Sequence, residues 1–367
     1  MINLELYNEF NSELEDKWLA IENDFLKNPF NSFYWIFHWY NTVGINSLKL
    51  KPQIVLLYND NILSYILPFC VIERKGIKVL EWIGDIQSDY CSPIVINNFI
   101  DNQNDFEKIW HKILLKLEKF DVINLNRQPI QIDFGIKNPF VIYLKNKAHD
   151  ISYQLNINNT WEEFSNEKKK KKILYDSNRQ KRRINEKGII KFLIPESNTK
   201  NKEIIKEMIK FKRTRYKLMK VTDLLSSQHS RNFYLGLNSA LEKGILKLHL
   251  SALLINDKIV ATHLGTILNE NFYYLMPSND FNDWKKYSVG RLLLEELLKI
   301  SFEQNFKVFD FSIGDESYKK NWCNQKTELY QHIKPINFKG IIYVLFLKMK
   351  NILIKSNFWK KIKFFRK

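Results

Sequence analysis

A chain of 367 residues suits two domains better than one, and 45% apolar with 14% aromatic residues supplies real cores, which excludes a disordered protein. The net charge of +17 points to polyanions as partners: nucleic acid, anionic lipid or phosphorylated substrates. A composition rich in Asn, Ile and Lys accounts for part of that charge.

The opening "MINLELYNEFNSELEDKW" has acids where a secretory leader needs basic residues and then an apolar run. No window reaches the ~18 uncharged apolar residues of a membrane span. Cys70, Cys91 and Cys323 are too scattered for a disulfide framework or a zinc site. A reduced, cytoplasmic protein without metal is expected.

"LLYNDNILSYILPF" (residues 56–69) reads as two alternating runs around a short Asn/Asp turn, a hairpin signal. The strand "KVLEWIG" follows. Phe106, Ile109, Trp110, Ile113, Leu114 and Leu117 then keep helical spacing, with Asp105 placed as N-cap. The strand "DVINLN" closes this set. Residues 158–188 read as a basic helix ended by Gly188, presenting either a solvated face or a surface that tracks phosphates.

"LLINDKIVATHLGT" (residues 253–266) then repeats the first hairpin. The strand "NFYYLMP" follows, then a helix over 289–300 with Val289, Leu293, Leu297 and Ile300 in one stripe, then the strand "KVFDFS". Each half therefore runs hairpin, strand, helix, strand, the pattern of a duplicated α/β fold. Domains are expected over 1–150 and 151–338. Residues 339–367 contain no acid and mix lysines with large apolar residues. This basic amphipathic tail suits an interfacial helix on the anionic inner face of a membrane.

The stretch "FDFSIGDESYKKNWC" leaves a strand and enters a charged turn. In twisted α/β sheets, ligands sit beyond strand ends. The turn so places Asp310 toward a cleft and brings Asp315, Glu316, Tyr318 and Lys319 near it. Asp315 and Glu316 either bind an amine or hold Lys319; the alternative is a surface turn of mutually paired charges. His263, between Ala261 and Gly265, is either a general base or a half-buried satisfied histidine. Ser288, Gly290 and Arg291 open the 289–300 helix, where exposed N–H groups favour an anion, or an ordinary cap. Lys212, Arg215 and Tyr216 share one helical face, for phosphate or carboxylate binding or as a solvated basic surface.

Residues 205–330 resemble the GNAT-like acyltransferase domain of cellulose- and exopolysaccharide-biosynthesis-associated proteins, relatives of the FemAB-type peptidoglycan-bridge enzymes. The resemblance rests on "FKRTRYKLMKVTD", "LLINDKIVATHLGT", "FYYLMPSND", "KYSVGRLLLEELL" and "FDFSIGDESYKKNW" in that order. The first half matches more loosely through "FYWIFHWYNTVG" and "EWIGDIQSDYCSPIV". The resemblance implies tandem GNAT-like folds in a FemAB-like arrangement. It implies an acyltransferase that modifies an amino or hydroxyl group on a nucleotide- or lipid-linked sugar.

On that resemblance Lys319 stabilises transition-state charge, and Tyr318 orients the acceptor. Tyr274, in the Tyr-rich strand, joins the substrate site, and Asp89 and Tyr90 form an acceptor side. Acyl-CoA, acetyl-CoA first, is the implied donor, with Ser288, Gly290 and Arg291 at its pyrophosphate. Two departures bear on it. "YSVGRL" has one glycine where conventional GNAT enzymes have Gln/Arg-x-x-Gly-x-Gly/Ala, and the long helical hairpin of many aminoacyl-tRNA users is missing. Aminoacyl-tRNA stands second as donor. The rival from another class is a GNAT-like scaffold that docks glycan machinery without catalysis.

Overall fold

The computed structural model describes residues 1–133 and 135–355. The last part of the expected tail, 356–367, lies outside the described residues. The principal elements begin with β1 (Ile2–Tyr7), α1 (Ser12–Phe25), α2 (Phe33–Trp39), β2 (Lys51–Asn59), β3 (Ile62–Arg74) and β4 (Ile77–Trp82). Next come α3 (Gln103–Lys116), β5 (Val122–Pro129), β6 (Lys147–Asn156), α4 (Lys168–Asn185), β7 (Ile190–Leu193), α5 (Asn198–Met219) and α6 (Gln228–Leu241). Last are β8 (Lys247–Ile255), β9 (Lys258–Leu268), β10 (Asn271–Tyr274), β11 (Ser278–Asn279), α7 (Val289–Glu303), β12 (Val308–Ile313), β13 (Gln325–Pro335) and α8 (Phe338–Lys355).

The chain forms two compact α/β units, and neither is contiguous in sequence. The first comprises residues 1–14, 48–149 and 329 onward; the second comprises 15–47 and 150–328. The contiguous ranges expected above are corrected accordingly. Packing explains the exchange. In α2, Trp35 meets Phe233 of α6 edge-on at 5.2 Å, and His38 Nε2 lies 2.8 Å from the Phe233 carbonyl. β13 pairs antiparallel with β5 from Leu329↔Pro129 to Pro335↔Val122, and this strand carries the chain back into the first unit.

Within the first unit, β1, β2, β3 and β4 are successively antiparallel, and β4 is parallel to β5 through Val79↔Val122 and Leu80↔Ile123. α3 supplies the crossover, burying Phe106, Ile109 and Ile113 against Leu67, Phe69 and Trp82. Its N-cap is Asn102, whose side chain accepts from Asp105 N; the cap expected at Asp105 is corrected by three residues. Asn102 takes extended backbone angles, while Asp105 already sits in the first turn.

Within the second unit, β7, β8, β9 and β10 are antiparallel in turn, β10 runs parallel to β12, and β6 closes against β12. α7 is the crossover here. The order hairpin, strand, helix, parallel strand is thus the same in both units. Each hairpin turns on two left-handed residues, Asp60–Asn61 and Asn256–Asp257, and the strand that follows bulges at the same distance past the turn, at Ser64 and at Val260. The structural match is offset by one residue from the sequence echo. The basic segment 158–188 is two helices, because Glu167 takes extended angles and breaks it before α4.

Candidate active site

The second unit opens where its parallel strands part. β10 and β12 pair at Asn271↔Val308, Phe272↔Phe309 and Tyr273↔Asp310, and no further. Beyond Tyr274 the chain leaves for β11, which pairs with β9 at Ser278↔Thr262. β12 bulges between Asp310 and Ile313, with Ser312 in the left-handed region at φ 59°. Asp310 pins that bulge: its carboxylate accepts from Ser312 N at 2.6 Å and from Gln154 Nε2 of β6 at 2.8 Å. A gap flanked by two strand ends remains, at the place where an α/β sheet receives a ligand.

Tyr274 ends β10 on one side of this gap, Glu316 and Tyr318 lie in the turn that follows β12 on the other, and both phenols feel the charges of Glu316 and Arg215. Burial raises the phenols of Tyr274 and Tyr318 above their ordinary range; Glu316 adds to the rise, and the Arg215 guanidinium pulls both back. Both phenols therefore stay protonated near neutral pH and can donate. Arg215 reaches in from α5, its guanidinium 5.2 Å from the Phe281 ring. The set is a fixed cation, a carboxylate and two neutral O–H donors.

Residues 171–320 match the acetyltransferase (GNAT) domain family. That stretch contains β10, α7, β12 and the gap, so the second unit carries a GNAT-type acyltransferase domain. No protein of curated function matches the chain in sequence. Solved structures that share its fold include the following three. FemX is similar at TM-score 0.58 and 11% identity, covering 90% of this chain and 97% of FemX. L-PGS from Bacillus licheniformis is similar at TM-score 0.55 and 11% identity, covering 94% and 98%. A protein of unknown function from Bacteroides thetaiotaomicron is similar at TM-score 0.56 and 10% identity, covering 90% and 99%. The chain thus shares a mixed α/β fold with these proteins along nearly its whole length.

The other expected residues sort by what they touch. Lys319 is corrected from an accessible catalytic cation to a buried clamp, 3% exposed. Its ammonium donates to the carbonyls of Ile313 at 2.6 Å and Ser312 at 3.3 Å and pairs with Glu316 at 3.0 Å. It closes the polar groups that the bulge leaves open. Asp310 is corrected in the same sense, from a cleft-facing acid to the group that holds the bulge. Asp315 takes the Tyr153 hydroxyl and pairs with Lys320; Lys320 and then Tyr153 hold its carboxyl below the usual range. Of the readings open for Asp315 and Glu316, paired charges describe Asp315, and holding Lys319 describes Glu316.

His263 is wholly buried and stacks on Tyr274, ring centroids 4.6 Å apart. Neither ring nitrogen has a partner, and burial, then the charges of His249 and Lys212, drive its pKa well down. The general base expected there is corrected: the ring is neutral and sealed from any acceptor. Gly265 leaves the room it occupies, because a Cβ there would sit 2.6 Å from His263 Cε1 and collide with the Tyr273 carbonyl. Gly265→Ala is expected to cost about 1–3 kcal/mol by overpacking. Chemical denaturation measures it; an unchanged midpoint would mean that both the ring and the β10 backbone give way.

Ser288, Gly290 and Arg291 do gather at the start of α7. Ser288 is left-handed at φ 55° without a side-chain cap. Gly290 lies against Asn279, and Arg291 pairs with Asp176 of α4 at 2.5 Å. Lys212, Arg215 and Tyr216 are half-buried along α5, whereas Arg213 and Lys217 between and beyond them are exposed. Asp89 and Tyr90 belong to the first unit. Their segment is held by Arg127, which donates to the Ser88 carbonyl at 2.7 Å and accepts from Cys91 N at 3.0 Å.

Four partners escaped the sequence reading: Gln154, Tyr153, Asp176 and His249. Gln154 and Asp310 are 156 positions apart, and Asp176 and Arg291 are 115 apart. No local spacing carries such pairs. The one available signal was His249 opposite Gly265 in a strongly patterned hairpin.

Proposed function

We propose that this acyltransferase moves an acyl group, acetyl first, from acyl-CoA to an amino or hydroxyl group of a sugar in cell-surface polysaccharide biosynthesis. The sugar is nucleotide- or lipid-linked. The observation that carries the reaction type is the gap between β10 and β12, with Tyr274, Tyr318 and Arg215 as donors and Glu316 as carboxylate. The acceptor nitrogen or oxygen attacks the thioester carbonyl. The oxyanion forms among the donors, and the thiolate leaves as the tetrahedral intermediate collapses. The proton lost by the acceptor leaves with the departing thiolate as the thiol, and Glu316 stays paired with Lys319. The sugar acceptor rests on the family resemblance alone.

Preorganised donors of this kind are worth about 2.7–4 kcal/mol each, or 10²–10³ in turnover. Arg215→Met and Tyr318→Phe are therefore expected to lower turnover about 10²-fold or more with little change in melting temperature. Turnover within threefold of wild type in a folded variant would remove that residue from the mechanism.

A second donor, aminoacyl-tRNA, is favoured by a specific observation. Arg291 is already neutralised by Asp176, and the single glycine of the loop packs on Asn279, which leaves little to grip a pyrophosphate. Meanwhile Lys168, Lys171, Lys172, Tyr175 and Arg182 are exposed at helical spacing on α4, while Arg179 among them pairs with Asp176. Thermal shift separates the donors. A ligand at a hundred times its dissociation constant stabilises by ~2.7 kcal/mol. Stabilisation by acetyl-CoA supports the first reading. Stabilisation by one charged tRNA alone, persisting near physiological salt, supports the second. Mass spectrometry of surface glycans with and without the gene would identify the acceptor.

A further inference from the structure

Helix α8 is apolar on two opposite sides. One side belongs to the fold. Tyr343 and Val344 pack on Val79, Val122 and Ile333. Gly340 lies so close to the Asp121 carbonyl that a Cβ would collide with it. Asn337 fixes the start, donating to Asp121 at 2.7 Å and accepting from Gly340 N at 3.0 Å.

Among the described residues, none covers the opposite side. Phe338, Ile341, Ile342, Leu345, Phe346 and Met349 are 46–75% exposed. Their spacing of three, four, seven, eight and eleven from the first places all six on one stripe. Lys339 and Lys350 border the stripe on one edge and Lys348 on the other, all exposed. Contiguous exposed apolar surface of this kind marks an interaction site. No acid occurs after Glu328, and the sequence beyond the described residues, "SNFWKKIKFFRK", continues the same mixture of aromatics and bases.

We propose that this stripe docks on an anionic lipid bilayer, with α8 lying in the interface plane. Charge decides the occupant. The chain carries +17, and two copies meeting at this face would bring their lysine borders together. An anionic leaflet neutralises those borders while the six side chains enter the boundary between headgroups and acyl chains, and the lysine stems reach back to the headgroups. Among the described residues, no helix is long and apolar enough to cross a membrane, so attachment through α8 is to one surface. The inner face of the helix stays on the first unit, which would hold that unit at a fixed distance from lipid-linked acceptors. The proposal does not depend on the donor.

The test is flotation of the full chain with vesicles of phosphatidylcholine alone, and of phosphatidylcholine with phosphatidylglycerol in equal parts. The wild-type chain is expected to float with the mixed vesicles only. Ile342→Ser/Leu345→Ser/Phe346→Ser should weaken that binding about tenfold or more with an unchanged melting temperature, since these side chains leave the fold's own packing untouched. Lys339→Glu/Lys348→Glu/Lys350→Glu should abolish the preference for anionic lipid. A chain ending at Lys355 should keep part of its binding, sensitive to the same stripe substitutions. Equal flotation of the stripe variant and wild type would overturn the proposal, as would complete loss of binding on truncation at Lys355. So would a wild-type dimer that ignores vesicles and becomes monomeric when the stripe is substituted.

Discussion

Lys319→Met is expected to lower stability and turnover together, by loosening the turn that follows β12. The ammonium serves the Ser312 and Ile313 carbonyls and Glu316 from a nearly dry position. Methionine fills the volume and donates nothing. A hydrogen bond involving a charged group contributes about 1.5–3 kcal/mol, and orphaned buried carbonyls add their own desolvation cost. A loss of roughly 3 kcal/mol corresponds to ~6–12 °C in melting temperature for a unit of this size. Tyr318 and Glu316 both sit in the loosened turn, so turnover should fall with it. Calorimetry beside an activity assay decides: a variant as stable as wild type but inactive would restore Lys319 to the chemistry.

Acid should destabilise the second unit through its buried histidines. His249 and His263 lie 5.7 Å apart on adjacent strands, and none of their four ring nitrogens has a partner. Burial pushes His249 from 6.5 down to about 4 and His263 well below its ordinary value. An unfolded chain therefore binds more protons between those values. The stabilising contribution of the neutral rings is complete above pH 6.5 and is lost as pH falls toward 4.

Two buried acids act in the opposite direction. Burial raises Glu22 and Glu295 from 4.5 to about 7, so their contribution is present below pH 4.5 and is lost as pH rises through 7. Whole-protein curves mix these terms, and a difference between variants separates them. His249→Phe should gain on wild type by roughly 3 kcal/mol as pH is lowered from 7 to 4. Glu295→Gln should gain on wild type as pH rises from 4.5 to about 7 and level off above that. Denaturant midpoints across pH measure both, and a His249→Phe difference that is flat with pH would mean the ring is solvated.

Local elements were legible because their signals are local. The Asn/Asp turns are left-handed as those residues allow, and α7 begins at Val289 as its stripe predicts. The units were not legible as ranges, since residues 15–47 join the second unit by packing on α6 and the tertiary pairing of β13 with β5 returns the chain to the first. Lys319 shows the same limit at the site. A lysine past a strand end reads as exposed, yet its acceptors are backbone carbonyls at a bulge, and backbone carbonyls leave no mark in the sequence. His263 also read as accessible because Ala261 and Gly265 flank it. That space is filled by its own ring and by Tyr274, not by a ligand.

The central claim is that acyl transfer takes place where β10 and β12 part. Hydrogen exchange with and without acetyl-CoA, and separately with charged tRNA, tests it most directly. One of the two donors should slow exchange in the peptides covering both strand ends, residues 273–278 and 311–319, and Arg215→Met should weaken that protection. Slowed exchange confined to other elements, or none with either donor, would contradict the assignment.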